Sequence, residues 1–278
     1  MSRWRLLIES ADQEGLVHKT TGVLYRARCN VIVNHEFADD KAGRFFMRTE
    51  FTGDVDKEKI MEELWRVLPP QPFVKLSQPG KARLVVMGSR EHHCLTDLLT
   101  RCAFGELDAT VDAVVSNHDV LRTFVERAEI PFHLVSHEGI SRADQEQQIL
   151  EVLDEIQPDY IVLAKYMRIL SPEFVSRYAN RIINIHHSFL PAFVGAKPYH
   201  QAWERGVKVI GATAHFVNEE LDQGPIIEQQ VIPVNHSHGP IDMARAGRDV
   251  ERQVLARAMR LVIEERVFLN GHRTVIFD

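Results

Sequence analysis

Residues 159–185 read DYIVLAKYMRILSPEFVSRYANRIINI, and the fold turns on this stretch. Its ends, DYIVLA and RIINI, are apolar on successive residues and rich in β-branched side chains, as a strand covered on both faces requires. Between them Ser171 precedes Pro172. A serine hydroxyl caps the free N–H groups of a first helical turn, and proline's fixed φ suits its first position, so SPEFVSRYA is read as a helix. Strand, helix, strand with both strands doubly apolar is a crossover unit of a parallel sheet. The pattern extends backwards through RLVVM (83–87), DAVVS (112–116) and FHLVS (132–136). The helical stretches between place Cys94, Leu95, Leu98, Leu99 and Cys102 on one face, and Ile149, Leu150, Leu153 and Ile156 on another. Forwards, GPIDMARAGRDVERQVLARAMRLVIEE reads as a long helix, and Asn270-Gly271 between apolar runs signals a hairpin. Residues 83–278 are therefore expected to form a doubly wound, mostly parallel α/β sheet.

Ahead of Gln78-Pro79-Gly80 the pattern is different. Trp4, Leu6 and Ile8 alternate as a strand, and Leu16, Val17, Thr20, Val23, Leu24 and Ala27 share a helix face beginning just after Asp12 and Gly15. NVIVNHEF and GRFFMRTEF flank the turn-rich ADDKAG as an antiparallel pair. Ile60, Met61, Leu64, Val67 and Leu68 make a second helix, ended by Pro69 and Pro70, and FVKL is a short strand. The order β-α-β-β-α-β over residues 1–80 is that of the ferredoxin-like, split βαβ unit.

The 278 residues carry 33 Lys+Arg against 39 Asp+Glu, a formal charge of −6. That balance argues against a chain built to coat nucleic acid or an anionic membrane, since both need a concentrated basic field. No apolar run approaches the ~18 residues that a membrane span needs, and MSRWRLLIESADQEG lacks a signal peptide's apolar segment, so a cytoplasmic location is expected. The three cysteines, Cys29, Cys94 and Cys102, have no metal spacing and read as buried thiols.

Chemistry concentrates in two stretches, NIHHSFLPAFVGAKPYHQA after the last parallel strand and IGATAHFVNEELDQGPIIEQQ beyond it. Ligands of open parallel sheets bind past the carboxyl ends of the strands, where Asn184, His186 and His187 fall. An amide N–H can stabilise charge developing on a carbonyl oxygen, an imidazole can move a proton, and the carboxylate of Asp222 can hold that imidazole. Read bare, each residue has an ordinary alternative. Asn184 can cap a turn, His186 can be a satisfied core histidine, and Asp222 can be a turn aspartate before Gly224-Pro225. His187, His200 and His215 cluster in sequence without any established ligand spacing, so no metal is expected.

The segments NIHHSFLPAF and HFVNEELDQGPII, with the earlier KYMRIL, resemble the folate-dependent formyltransferase fold, from about residue 83 to the end. The 38-residue separation of Asn184 and Asp222 matches that family's layout. The first ~80 residues (a boundary good to a few residues) are similar to an ACT domain, through DQEGL, CNVIVN and GRFFMR. This arrangement is that of the 10-formyltetrahydrofolate deformylases. The resemblance implies hydrolysis of 10-formyltetrahydrofolate to formate and tetrahydrofolate, which balances the one-carbon folate pool and supplies formate for purine synthesis. It implies that Asn184 polarises the formyl oxygen, that His186 acts on the same centre, and that Asp222 holds His186 and positions or deprotonates water. Arg168, Ile169 and Leu170 would hold the pterin ring, with Val217 near the same pocket. Asp12, Gly15 and Asn30 would contribute to an amino-acid effector site; for Gly15 a plain turn glycine is the alternative, and for Arg168 a surface arginine. Folate is the substrate, with no resident cofactor, and a homodimer or homotetramer is implied.

Departures from the transferases point the same way. Where ribonucleotide transformylases have a small-residue loop cradling phosphate, this chain has the bulky GSREHHCLTDLL. His187 stands where the transferases resemble one another in having proline, and no C-terminal RNA-binding extension is expected. Water is the acceptor that remains. The alternatives are a formyltransferase acting on an amine, such as a sugar nucleotide, and a non-catalytic folate or amino-acid sensor.

Overall fold

The structure, a computed structural model, describes residues 2–191 and 198–278. Its contacts divide the chain into two units. One comprises residues 1–80, 264–270 and 275–278; the other comprises 81–263 and 271–274.

In the first unit the elements are β1 (Ser2–Ala11), α1 (Leu16–Arg26), β2 (Asn30–Asp39), β3 (Arg44–Gly53), α2 (Lys57–Val67) and β4 (Phe73–Ser77). They form a four-stranded sheet in the order β2-β3-β1-β4, each neighbouring pair antiparallel. Leu6, Ile8, Met47 and Phe51 project from one sheet face to meet Leu16, Val23 and Leu24 of α1 and Ile60 and Leu64 of α2. The alternation of β1 and β3 sends Leu7 and Phe46 to the opposite face, and that face is covered too. Phe268 and Phe277, from the end of the chain, pack on them. Arg48 on the same face is almost fully buried, and its guanidinium donates to the carbonyls of Glu264 and Glu265 and to the Glu50 carboxylate. This corrects the expected division at residues 80 and 83, which gave the C-terminal residues wholly to the second domain. A doubly covered antiparallel sheet needs a second layer, and residues 264–270 and 275–278 supply it.

The second unit contains β5 (Ala82–Gly88), α3 (His93–Ala103), β6 (Ala109–Ser116), α4 (Arg122–Arg127), β7 (Phe132–Leu134), α5 (Arg142–Ile156), β8 (Tyr160–Leu163), α6 (Pro172–Arg177) and β9 (Ile182–His186). After these come α7 (Pro198–Glu204), β10 (Val209–Phe216), β11 (Ile226–Pro233) and α8 (Pro240–Ile263). The sheet order is β11-β10-β9-β8-β5-β6-β7, with β5 to β9 parallel and β10 and β11 antiparallel to their neighbours. Ile149 and Leu153 of α5 and Phe174 and Val175 of α6 cover one face, packed on Val85, Met87, Val115 and Ile161. Helices α3 and α8 pack together, α8 also lying against β10. Ser171 caps α6 as read, its hydroxyl accepting from the Phe174 N–H at 3.2 Å. A final hairpin, β12 (Val267–Asn270) and β13 (Arg273–Ile276), contains the Asn270-Gly271 pair. Among the described residues no helix is long and apolar enough to cross a membrane.

The chain runs outward from β5 to β7 in one direction and from β8 to β9 in the other. The sheet order therefore reverses between β5 and β8, opening a crevice at the carboxyl ends of those strands. Ser89, just past β5, ties the two sides by donating to Asn117 Oδ1 and accepting from the Met167 N–H.

Candidate active site

Strand geometry assembles the site. Asn184 and His186 are two residues apart on β9 and so share a face. The antiparallel register of β10 sets His215 opposite Asn184 and Thr213 opposite His186. Directly opposed residues point to the same side of a sheet, so His215 joins that face. Asn184 Nδ2 donates to His215 Nε2 at 3.2 Å, while His215 Nδ1 donates to the Phe216 carbonyl at 2.8 Å. The two contacts fix His215 as the Nδ1–H tautomer and orient the Asn184 amide. Burial, ahead of its charged neighbours, pulls the His215 pKa down and keeps the ring neutral.

Asp222 reaches the same place from the β10–β11 connection. Its φ of 57° is left-handed, a conformation that aspartate tolerates better than most residues. Gly224 lets the turn fold against β10: a Cβ there would overlap the Phe216 carbonyl oxygen, and the Phe216 N–H donates to the Pro225 carbonyl at 2.9 Å. The carboxylate consequently lies with Oδ2 3.4 Å from His186 Nδ1 and Oδ1 3.8 Å from His215 Nε2. Burial pushes the Asp222 pKa up, but the hydrogen bond and charge of His186, with smaller contributions from His215 and His187, more than offset it. The net pKa lies below the ordinary carboxylate range. His186 is buried, and among the described residues its Nε2 has no hydrogen-bond partner. An unsatisfied buried nitrogen costs about 1–3 kcal/mol, a cost that a ligand at that nitrogen can offset.

These groups border a cavity of about 370 Å³, a volume suited to a small organic ligand. Its lining includes Asn184, His186 and Asp222, and also Arg168, Ile169, Leu170 and Val217, so the expected catalytic and ring-binding residues come together. Met167, Ile169 and Leu221 are apolar yet more than half exposed, at 63%, 59% and 54%, and give the opening an apolar rim. His187 and Lys165 also line the cavity. The resemblance assigns His187 no role, and in KYMRIL it singles out Arg168, Ile169 and Leu170 but not the leading Lys165. His215, considered only as a metal ligand, proves to be the partner of Asn184. The pairing was not legible before the β9–β10 register was known.

The other expected groups are placed differently. His200 lies apart, half exposed beside Glu204. Among the described residues, His93, Cys94 and Glu251 come close enough to share a metal ion, but the Lys165 ammonium is 3.2 Å from that same Glu251 carboxylate and already neutralises it. Of the three cysteines Cys94 is buried, while Cys29 and Cys102 are only partly so. Of the residues expected at an effector site, Asp12 and Gly15 flank the loop into α1, with Gly15 left-handed at φ 80° and the Asp12 N–H donating to the Gly43 carbonyl. Asn30 is not there. It pairs with Thr52, whereas Ala11 pairs with Arg44, and eight strand residues put the two ends about 26 Å apart. Asn30 is thus removed from any single-chain site with Asp12 and Gly15, because α1 returns the chain to the far end of the sheet.

Comparison with known proteins agrees with this geometry. Residues 82–259 match the family model described as formyl transferase. A formyltetrahydrofolate deformylase of Escherichia coli O6:H1 is 54% identical over 265 residues, 95% of each chain. The crystal structure of a formyltetrahydrofolate deformylase from Pseudomonas syringae pv. tomato superposes with a TM-score of 0.95 at 42% identity, covering 100% of this chain and 95% of that one. A glycinamide ribonucleotide transformylase 1 from Symbiobacterium toebii is similar over only 71% of this chain, though over 95% of its own, with a TM-score of 0.69 and 33% identity. With near-complete coverage by the Escherichia coli relative and the Pseudomonas syringae structure, the chain belongs to the formyltetrahydrofolate deformylase family.

Proposed function

We propose that the protein hydrolyses 10-formyltetrahydrofolate to formate and tetrahydrofolate, with Asn184, His186 and Asp222 as the catalytic residues. The observation that carries the reading is their convergence on one apolar-rimmed cavity, with a buried His186 nitrogen that has no hydrogen-bond partner among the described residues. The rim suits a flat pterin held by Ile169, Leu170 and Val217, with Arg168 at the opening. Asn184 uses one N–H on His215 and has the second for the formyl oxygen. As water adds, charge develops on that oxygen, and an oriented amide stabilises it without reorganising. The water oxygen bonds to the formyl carbon and its proton passes to the Asp222–His186 pair, whose Oδ2 and Nδ1 lie 3.4 Å apart. The C–N10 bond then breaks, and N10 takes up a proton. Folate is consumed as substrate, not held as a cofactor; the products return tetrahydrofolate to the one-carbon pool and formate to purine synthesis.

The β-α-β-β-α-β order of the first unit supports reading residues 1–80 as an ACT-type regulatory module, with the Asp12–Gly15 loop as its amino-acid contact. An effector acts only by binding states of different activity unequally. A homodimer or homotetramer and a cytoplasmic location complete the proposal. The test is purified protein with 10-formyltetrahydrofolate and no amine, run with and without single amino acids. Formate released in step with tetrahydrofolate supports the reading. Formate-free turnover that begins only on adding an amine would identify a transferase instead.

A further inference from the structure

We infer that His187 seats the hydrolytic water by accepting one of its hydrogen bonds, and that a buried cluster centred on Glu251 holds the His187 ring in place for this. The inference rests on the deformylase reading and extends it to the choice of water as acceptor. His187 follows β9 directly and lines the cavity beside His186. The two imidazoles stack with centroids 5.1 Å apart and planes at 14°, and the Tyr199 ring lies 6.2 Å away on the other hand. Tyr199 is itself anchored. Its hydroxyl donates to Glu251 Oε1 at 2.6 Å, and Gly247 of α8 lies where any Cβ would overlap that hydroxyl. Glycine in a helix interior costs about 1 kcal/mol relative to alanine, but at buried Gly247 the Tyr199 hydroxyl occupies the space a Cβ would need.

Glu251 is 1% exposed and is saturated from three sides. His93 Nε2 is 2.8 Å and Lys165 Nζ 3.2 Å from Oε2, in addition to Tyr199 on Oε1. One carboxylate and one ammonium cancel, which gives His187 a rigid polar wall without net charge. The titratable groups facing His187 are Lys165 from the end of β8, His186 from β9, Tyr199 from α7, Glu251 from α8 and Asp222 from the β10–β11 turn. Burial first, then Lys165 and His186, hold the His187 pKa down at about 4, against the pull of Glu251 and Asp222. At neutral pH the ring therefore keeps an unprotonated nitrogen. Such a weak base is a poor destination for the water proton but a good hydrogen-bond acceptor. Water bound there donates one hydrogen to His187 and the other to the Asp222–His186 pair, which takes the proton as the oxygen bonds to the formyl carbon. His187 gains and loses no proton in the step.

The test measures kcat and KM for formate release, and the product ratio when hydroxylamine competes with water. In His187→Ala kcat for formate falls about 10- to 100-fold, the scale for losing the positioning of a reacting group. KM stays within about 2-fold, and hydroxamate rises relative to formate, because an external nucleophile needs no seat. His187→Gln, whose amide oxygen restores an acceptor, recovers most of the loss and carries the test if the alanine variant does not fold. Lys165→Met leaves Glu251 unbalanced beside His187 and moves the acid limb of kcat towards neutral pH by about one unit or more. Unchanged kcat in His187→Ala, formate and hydroxamate falling together, a Gln variant no better than Ala, or an unmoved acid limb would each overturn the inference. A wild type that releases no formate at all would instead contradict the deformylase reading beneath it.

Discussion

Replacing Asp222 by Asn removes a charge while keeping shape. Asparagine tolerates the left-handed backbone at this position as well as aspartate does, so the turn before Gly224 is retained and thermal stability changes little. The chemical loss follows from the distance. At the 3.4 Å between Asp222 Oδ2 and His186 Nδ1, and an effective dielectric near 20, a carboxylate stabilises an imidazolium by about 5 kcal/mol. Asp222 is mostly buried, so little of this is lost to solvent. If the imidazole gains positive charge as the water proton is transferred, kcat falls by roughly 10³- to 10⁴-fold. KM for the folate is expected to change little, because the substitution leaves Ile169, Leu170 and Val217 of the cavity wall untouched. The assay is acceptor-free formate release under saturating substrate, with circular dichroism to verify folding. A folded Asn variant within about tenfold of wild-type kcat would refute the reasoning, since no electrostatic coupling at that distance is so weak in a buried pair.

Gly224→Ala pushes a Cβ into the Phe216 carbonyl and displaces the Asp222 turn; kcat is expected to drop by about 100-fold while folate binding, followed by fluorescence titration, persists. Acid stability carries a sign. With a folded pKa of about 4 against an ordinary 6.5, His187 in the native state refuses a proton that the unfolded chain accepts, so stability falls as pH drops from 6.5 to 4, by at most about 3 kcal/mol. His187→Gln should flatten that interval in urea melts. Glu251 acts lower: its pKa of about 2 makes its contribution complete above about 4.5 and lost towards pH 2. Arg48→Met removes one guanidinium from Glu50, which keeps Arg3, and strands the Glu264 and Glu265 carbonyls; denaturant unfolding should show a loss of about 1–3 kcal/mol for each carbonyl left unsatisfied.

What the sequence disclosed was what local pattern encodes. Doubly apolar strands, the Ser171-Pro172 helix start and the alternation of β1 and β3 each depend on residues a few positions apart, and each foretold its element. Asn184 and His186 were legible because strand ends of a parallel sheet face the crevice. The rest depended on long-range registers. His215 becomes the partner of Asn184 only through the β9–β10 pairing. Lys165 and Glu251, 86 residues apart, meet only because α8 folds back beside the end of β8. The role of residues 264–270 and 275–278 was hidden because Arg48 reads as a solvent-facing residue in an alternating strand. The distance of Asn30 from Asp12 and Gly15 within one chain was hidden for the converse reason: sequence nearness to α1 concealed that the helix carries the chain to the other end of the sheet.

The most direct measurement of the central claim is turnover of 10-formyltetrahydrofolate in ¹⁸O-enriched water with no amine present. Hydrolysis gives formate carrying one solvent-derived oxygen, formed in step with tetrahydrofolate. Formation of product only when an amine is supplied, with the formyl group recovered on that amine and no labelled formate, would contradict it.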